Sequence, residues 1–183
     1  MIMYEFLEEE IKNIYQDDNK KLRTQTVMYG KLENRWHTYL HPGLTTEEIK
    51  EFESRVGNSF PSAYKEFLSF YNGCYLFDLL RMGGKELESY KGLTIEEQVR
   101  STVDIQDIQE MHLRKRTPKE HFIFADSLVK NTYYVMDKGE KVLEVDCKTK
   151  KVTESYNTFK DFIVQIVQEG KDNIANEIYF EFR

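Results

Sequence analysis

Four histidines, two cysteines and thirty-two carboxylates are the groups in this chain able to do chemistry. A thiol nucleophile needs a base beside it, and Cys74 with one of His37, His41, His112 or His121 is the pairing available. None of the four histidines lies in a G-x-S-x-G or H-E-x-x-H pattern. Cys74 follows Gly73 and leads into an apolar run, where a small buried thiol is the plainer role. His37 and His41 stand four apart, as zinc ligands on one helix face do, but no third ligand stands at ligand spacing nearby. Solvent-facing or capping histidines before the turn at His41-Pro42-Gly43 are expected instead. Cys74 and Cys147 fit no zinc or redox spacing and are read as reduced thiols. Gly83-Gly84-Lys85 lacks the upstream glycine and the following Ser or Thr of a P-loop, and no G-x-G-x-x-G is present. No catalytic residue, metal or cofactor is assigned.

Charge carries a little more. The 183 residues hold 26 Lys+Arg against 32 Asp+Glu, a net charge of −6. That balance argues against a general nucleic-acid binder and leaves open a basic protein partner. Asp104, Asp107 and Glu110 recur every third residue and would share a helix face, an acidic row able to steer such a partner. Arg114, Lys115, Arg116 and Lys119 are read as complementing a helix C-terminus rather than gripping phosphate. No apolar run reaches the length of a membrane span, and the N-terminus lacks the basic and small-residue regions of a secretory signal. A cytoplasmic protein that meets neither membrane nor nucleic acid directly is the expectation.

These groups need a scaffold, and twelve Phe, twelve Tyr and one Trp supply its core. Phe6, Leu7, Ile11 and Ile14 predict an amphipathic helix over 4–15. The stretch 20–41 suits either a second helix or a draped segment. Thr45-Thr46-Glu47-Glu48 is a capping box, Ile49, Phe52 and Val56 continue its stripe, and Gly57 suits the left-handed C-terminal position. Pro61 suits the first residue of the next helix, with Tyr64, Phe67, Leu68 and Tyr71 as its stripe and Asn72-Gly73 as its end. Residues 75–80 read as a strand and 85–119 as one or two helices. Four short runs between 122 and 156 predict an antiparallel meander. Asn157 or Thr158 would cap a last helix that Gly170 closes, and an aromatic tail would follow as an edge strand or a docked extension.

The run from Leu44-Thr45 through Glu48-Ile49, Phe52-Glu53, Gly57, Phe60-Pro61, Tyr64-Lys65, Phe67-Leu68 and Asn72-Gly73 resembles the opening of the SUKH superfamily, the Smi/Knr type. Phe60 stands where that family usually has Leu. Phe122-Ile123-Phe124-Ala125-Asp126, the Tyr133-Tyr134 strand and Tyr156 to Ile163 resemble its sheet and closing helix. Ser127 to Asn131 intervene where the family often has Gly-Asn. The resemblance covers about 40–168, with an N-terminal helical extension (1–40) and a tail (171–183) in one 183-residue domain. It implies an α+β fold, with a helix pair before the strands and helices packed against one mostly antiparallel sheet. It also implies a non-catalytic immunity protein that binds and neutralises a cognate toxin, in many members a nuclease. A regulatory scaffold of the cell-wall-assembly and glucan-synthesis type is the alternative. Beside the acidic row, Asp126 and the polar loop to Asn131 are the candidate partner contacts.

Overall fold

The computed structural model describes residues 4–179, which form six helices and nine strands. Helix α1 (Glu5–Tyr15) buries Leu7, Ile11 and Tyr15, an i, i+4, i+8 stripe, and ends in left-handed Gln16. Strands β1 (Asn19–Lys21), β2 (Val27–Leu32) and β3 (Arg35–Pro42) then occupy the stretch expected to be helical or draped. The reason is physical. Residues 36–41 of β3 are all buried, so neither a two-residue nor a helical period shows. Its turns are built by Gln25, Glu33 and Asn34 at positive φ rather than by Gly or Pro. His37 and His41 therefore lie buried on a strand and not in solvent beside a turn.

The helix pair follows these three strands. In α2 (Thr46–Val56), the Glu48 amide donates to Thr45 Oγ1 at 3.2 Å while the Thr45 amide donates to Glu48 Oε2 at 2.7 Å, and Gly57 closes it at φ 81°. Pro61 is the N-cap of α3 (Ser62–Phe70) rather than its first residue. Tyr71 is already extended, and Asn72-Gly73 lie inside β4 (Tyr71–Leu76). The apolar run expected as one strand straddles a hairpin: Phe77 and Asp78 turn at φ 55° and 57° before β5 (Leu80–Met82).

Helices α4 (Ile95–Val99) and α5 (Ile105–His112) precede β6 (Phe122–Ser127), β7 (Thr132–Met136), β8 (Val142–Asp146) and β9 (Val152–Tyr156). Thr158 caps α6 (Phe159–Ala175), which runs through Gly170 rather than ending there. A Cβ on Gly170 would lie 2.3 Å from the Phe77 ring, so this glycine lets α6 approach the hairpin. Ile178 and Tyr179 have no regular structure, and the rest of the aromatic tail lies outside the described residues.

All nine strands are antiparallel and stand in chain order. Leu40, Cys74, Met82, Ala125 and Tyr134 are successive cross-strand partners. All five join the large core with Leu7, Phe52, Phe67 and Phe162 from α1, α2, α3 and α6. Side chains alternate along a strand, so the neighbouring residue of each strand belongs to the opposite face. Two smaller clusters lie apart from the main core: Ile108 with Ile123, Tyr133, Val135 and Val145, and Leu22 with Met28, Trp36 and Tyr39.

Candidate interaction site

On that second face a row of directly opposed residues crosses seven strands: Met28, Tyr39, Tyr75, Arg81, Asp126, Tyr133 and Val145. Opposed residues of an antiparallel pair are neighbours on one face, and two steps of this row carry specific contacts, an aromatic stack and an ion pair. The Tyr39 and Tyr75 rings stack at 4.3 Å and 6°. Arg100 lies 5.2 Å over Tyr39, and its Nη1 donates to the Tyr39 hydroxyl at 3.3 Å. The Tyr75 hydroxyl donates to Asp78 Oδ1 at 2.8 Å. Arg81 grips Asp126 with two bonds, Nε to Oδ1 at 3.0 Å and Nη2 to Oδ2 at 2.7 Å, the planar fork that guanidinium and carboxylate favour.

The far end of the row is a relay. His112 Nε2 stands 3.3 Å from Asp126 Oδ2, and the imidazole stacks on Tyr133 at 4.7 Å and 12°. Cys147 Sγ lies 3.8 Å from His112 Nδ1, and the Lys150 ammonium sits 4.7 Å over the Tyr133 ring. Burial works to raise the Asp126 carboxyl, but the bonds from His112 and Arg81, with their charges, bring it below its ordinary value. Burial raises the Cys147 thiol, and the nearby Lys150 charge offsets that only in part. Aspartate, histidine and cysteine thus stand in the order of a thiol triad, yet burial shifts the thiol away from the thiolate that would be the nucleophile. A thiol does meet an imidazole here, though the pair is Cys147 with His112 rather than one involving Cys74.

Over the Tyr39–Tyr75 end, a cavity of about 220 Å³ opens, with Arg81, Val99, Val103 and Leu128 among its walls. His41 also lines it; burial pulls this imidazole down to about 4, and its Nδ1 lies 2.9 Å from Thr26 Oγ1. Burial also pushes up the thiol of Cys74, another wall residue.

The expected contact residues fall into two groups. Asp104 is 3% exposed and does not share the α5 surface with Asp107 and Glu110. It is the N-cap: Oδ1 accepts from the Gln106 amide at 2.9 Å and Oδ2 from Arg55 Nη2 at 2.5 Å. A spacing of three thus marked a cap and two surface carboxylates, not one acidic row. Asp126 is equally internal, committed to Arg81 and His112. Asp107, Glu110 and Asn131 are exposed, and the Asn131 carbonyl accepts from the Cys147 amide at 2.9 Å. Tyr39, Tyr75, Arg81 and Arg100 were missed, because separate segments bring them together, and His112 was named only as one possible partner of Cys74. One trace was visible: a lone charge inside the apolar Leu79-Leu80-Arg81-Met82.

Residues 43–165 match the SMI1 / KNR4 family (SUKH-1), about two-thirds of the chain. The chain belongs to the SMI1/KNR4 family. It is also similar to the SPbeta prophage-derived uncharacterized protein YokK of Bacillus subtilis (strain 168), 56% identical over 58 residues. That similarity spans 31% of this chain and 26% of the relative, so the chain matches about a quarter of that protein's length. The SMI1/KNR4 match contains Tyr75, Arg81, Val99 and Asp126 but begins after β3. Tyr39 and His41 therefore come from β3, which precedes the SMI1/KNR4 match, and the cavity forms where the two meet. Among the described residues, no helix is long and apolar enough to cross a membrane.

Proposed function

We propose that this SMI1/KNR4 protein is a non-catalytic immunity protein that acts in the cytoplasm, where it binds and neutralises a cognate toxin domain through the second face of its sheet. The observation that carries the reading is exposed apolar surface beside the cavity: Val99, one of its walls, is 64% exposed, Ile95 one turn before it on α4 is 81%, and Val129, next to the wall residue Leu128, is 38%. Apolar side chains gathered at the mouth of a cleft mark a surface built to be covered. A Cys147 thiol whose pKa is raised by burial and a His112 packed against Tyr133 favour binding over catalysis. The prophage origin in the name of the YokK relative fits a gene carried for competition.

A net charge of −6 favours a basic partner, as a nuclease that grips phosphate is. Asp107 and Glu110, exposed on α5, would steer it. The test is co-expression with a toxin domain, sought first in the adjoining gene, read as growth rescue and as a complex on size-exclusion chromatography. Neither rescue nor complex would end the reading. Several unrelated partners and no toxin would favour the regulatory scaffold.

A further inference from the structure

We propose that the cavity over Tyr39, Tyr75 and Arg81 is an anchor pocket for one aromatic side chain of the protein partner, and that it discriminates against lysine and arginine anchors. The inference rests on the preceding reading for the existence of that partner, and deepens it by naming what enters.

Size comes first. A buried apolar cavity of about 150 Å³ accepts benzene, so about 220 Å³ has room for one substituted ring and little more. Shape agrees, because the face-to-face Tyr39–Tyr75 pair lines the cavity with aromatic surface and Val103 and Leu128 stand beside it as walls. Charge excludes the other large anchors. Arg81 lines the cavity, and its Nη1 makes no hydrogen bond among the described residues. Asp126 is already spent on Arg81 and offers no free carboxylate to an incoming cation. Arg100 stands over Tyr39 beside the mouth and pairs with no carboxylate among the described residues. The Arg100 charge repels a basic side chain, the Arg81–Asp126 pair offers it no counter-charge, and both guanidinium planes stack well on an aromatic face.

The rim argues for a protein rather than a small molecule. Val99 and Ile95 are four residues apart on α4 and so lie one above the other, while Val129 follows the wall residue Leu128. A free ring inside the pocket would leave all three in water. A protein surface around an inserted anchor would cover them, the arrangement of an interface hot spot with its water-excluding ring.

The experiment is an NMR titration of the full-length, ¹⁵N-labelled protein with N-acetyl-tyrosinamide, N-acetyl-leucinamide and N-acetyl-argininamide in turn. Saturable shifts are expected at the amides of Tyr75, Val99, Ser101, Val103 and Leu128 with the tyrosine probe, and none with the arginine probe. Val99→Trp and Leu128→Trp, two substitutions at the mouth and wall, should each weaken that response about 10-fold or more while leaving distant amides in place. They should weaken a complex with the co-expressed toxin domain by a similar factor. Absent shifts, or equal shifts with argininamide, would overturn the pocket whatever the toxin does. A toxin complex untouched by both substitutions would overturn the anchor and leave the immunity reading intact. A tyrosine-selective pocket with no toxin complex would sustain the pocket and end the immunity reading.

Discussion

Leu40, Cys74, Met82, Ala125 and Tyr134 cross five strands on one face, and Tyr39, Tyr75, Arg81, Asp126 and Tyr133 cross the same five on the other. Each member of the first row is the chain neighbour of a member of the second. The first row lies under α1, α2, α3 and α6 in one continuous apolar core. The second holds aromatic stacks and one gripped ion pair, with α5 packed against β6 and the Tyr179 ring 5.4 Å from His37. Helices that bury one face leave the other free to carry charge, and this chain places its paired charges and its cavity there. The contrast separates an apolar core packed under four helices from a thinner aromatic and charged layer, in which Tyr39, Asp126 and Tyr133 are buried as well.

The contrast should break most visibly at Met82. This side chain is 1% exposed in the first row, and Met82→Ala should cost on the order of 2–5 kcal/mol in urea unfolding. A value below about 1 kcal/mol would blur the distinction between the faces.

His41 gives the next largest effect. The native imidazole titrates at about 4 against an ordinary 6.5, so the unfolded chain takes up a proton that the native fold refuses. Stability should fall by on the order of 3 kcal/mol as pH drops from 6.5 towards 4, and this contribution should level off below the native value. Unfolding at a series of pH values checks it, and His41→Gln should flatten the slope.

The ion pair is subtler. Asp126→Ala strands Arg81 beside the cavity, and its side chain, 28% exposed, can still reach water. The expected loss is about 1–3 kcal/mol. Replacing both partners, Arg81→Met with Asp126→Leu, should recover most of it, since buried ion pairs contribute little over well-packed apolar substitutes. Because the Asp126 carboxyl sits below its ordinary value, its contribution is present above the unfolded pKa and lost as pH falls through the folded one. The smallest effect belongs to Val99→Asp on the exposed rim, within about 0.5 kcal/mol in stability. Its consequence should appear only in partner binding.

Much of the first face was legible in the sequence. The capping box at Thr45 and Glu48, the Tyr64–Phe67–Leu68 stripe and the Phe159–Phe162–Ile163–Ile166 face each carry their period within one element. The meander over 122–156 announced itself through short runs and tight turns. The second face was harder to read for reasons that follow from its construction. Strand β3 is buried along residues 36–41, with His41 satisfied by Thr26, so its polar residues looked like surface. Arg81 and Asp126 are 45 residues apart, and no local pattern joins them. Asp104 shows the opposite failure, a local spacing whose meaning changed once Arg55 arrived from α2.

The strictly sequential strand order has a kinetic consequence. Every strand pairs with its neighbours in the chain, and each new rung closes a short loop except where α2 and α3 separate β3 from β4 and α4 and α5 separate β5 from β6. The contacts of α1 with α6 are different, since they join the two ends of the chain. Hairpins can zip from either end at small entropic cost, whereas the seal over the first face must wait for residues 159–175. On a ribosome that order is enforced by synthesis: the surface carrying the Tyr39–Tyr75–Arg81–Asp126–Tyr133 row emerges whole before the helix that completes the opposite side.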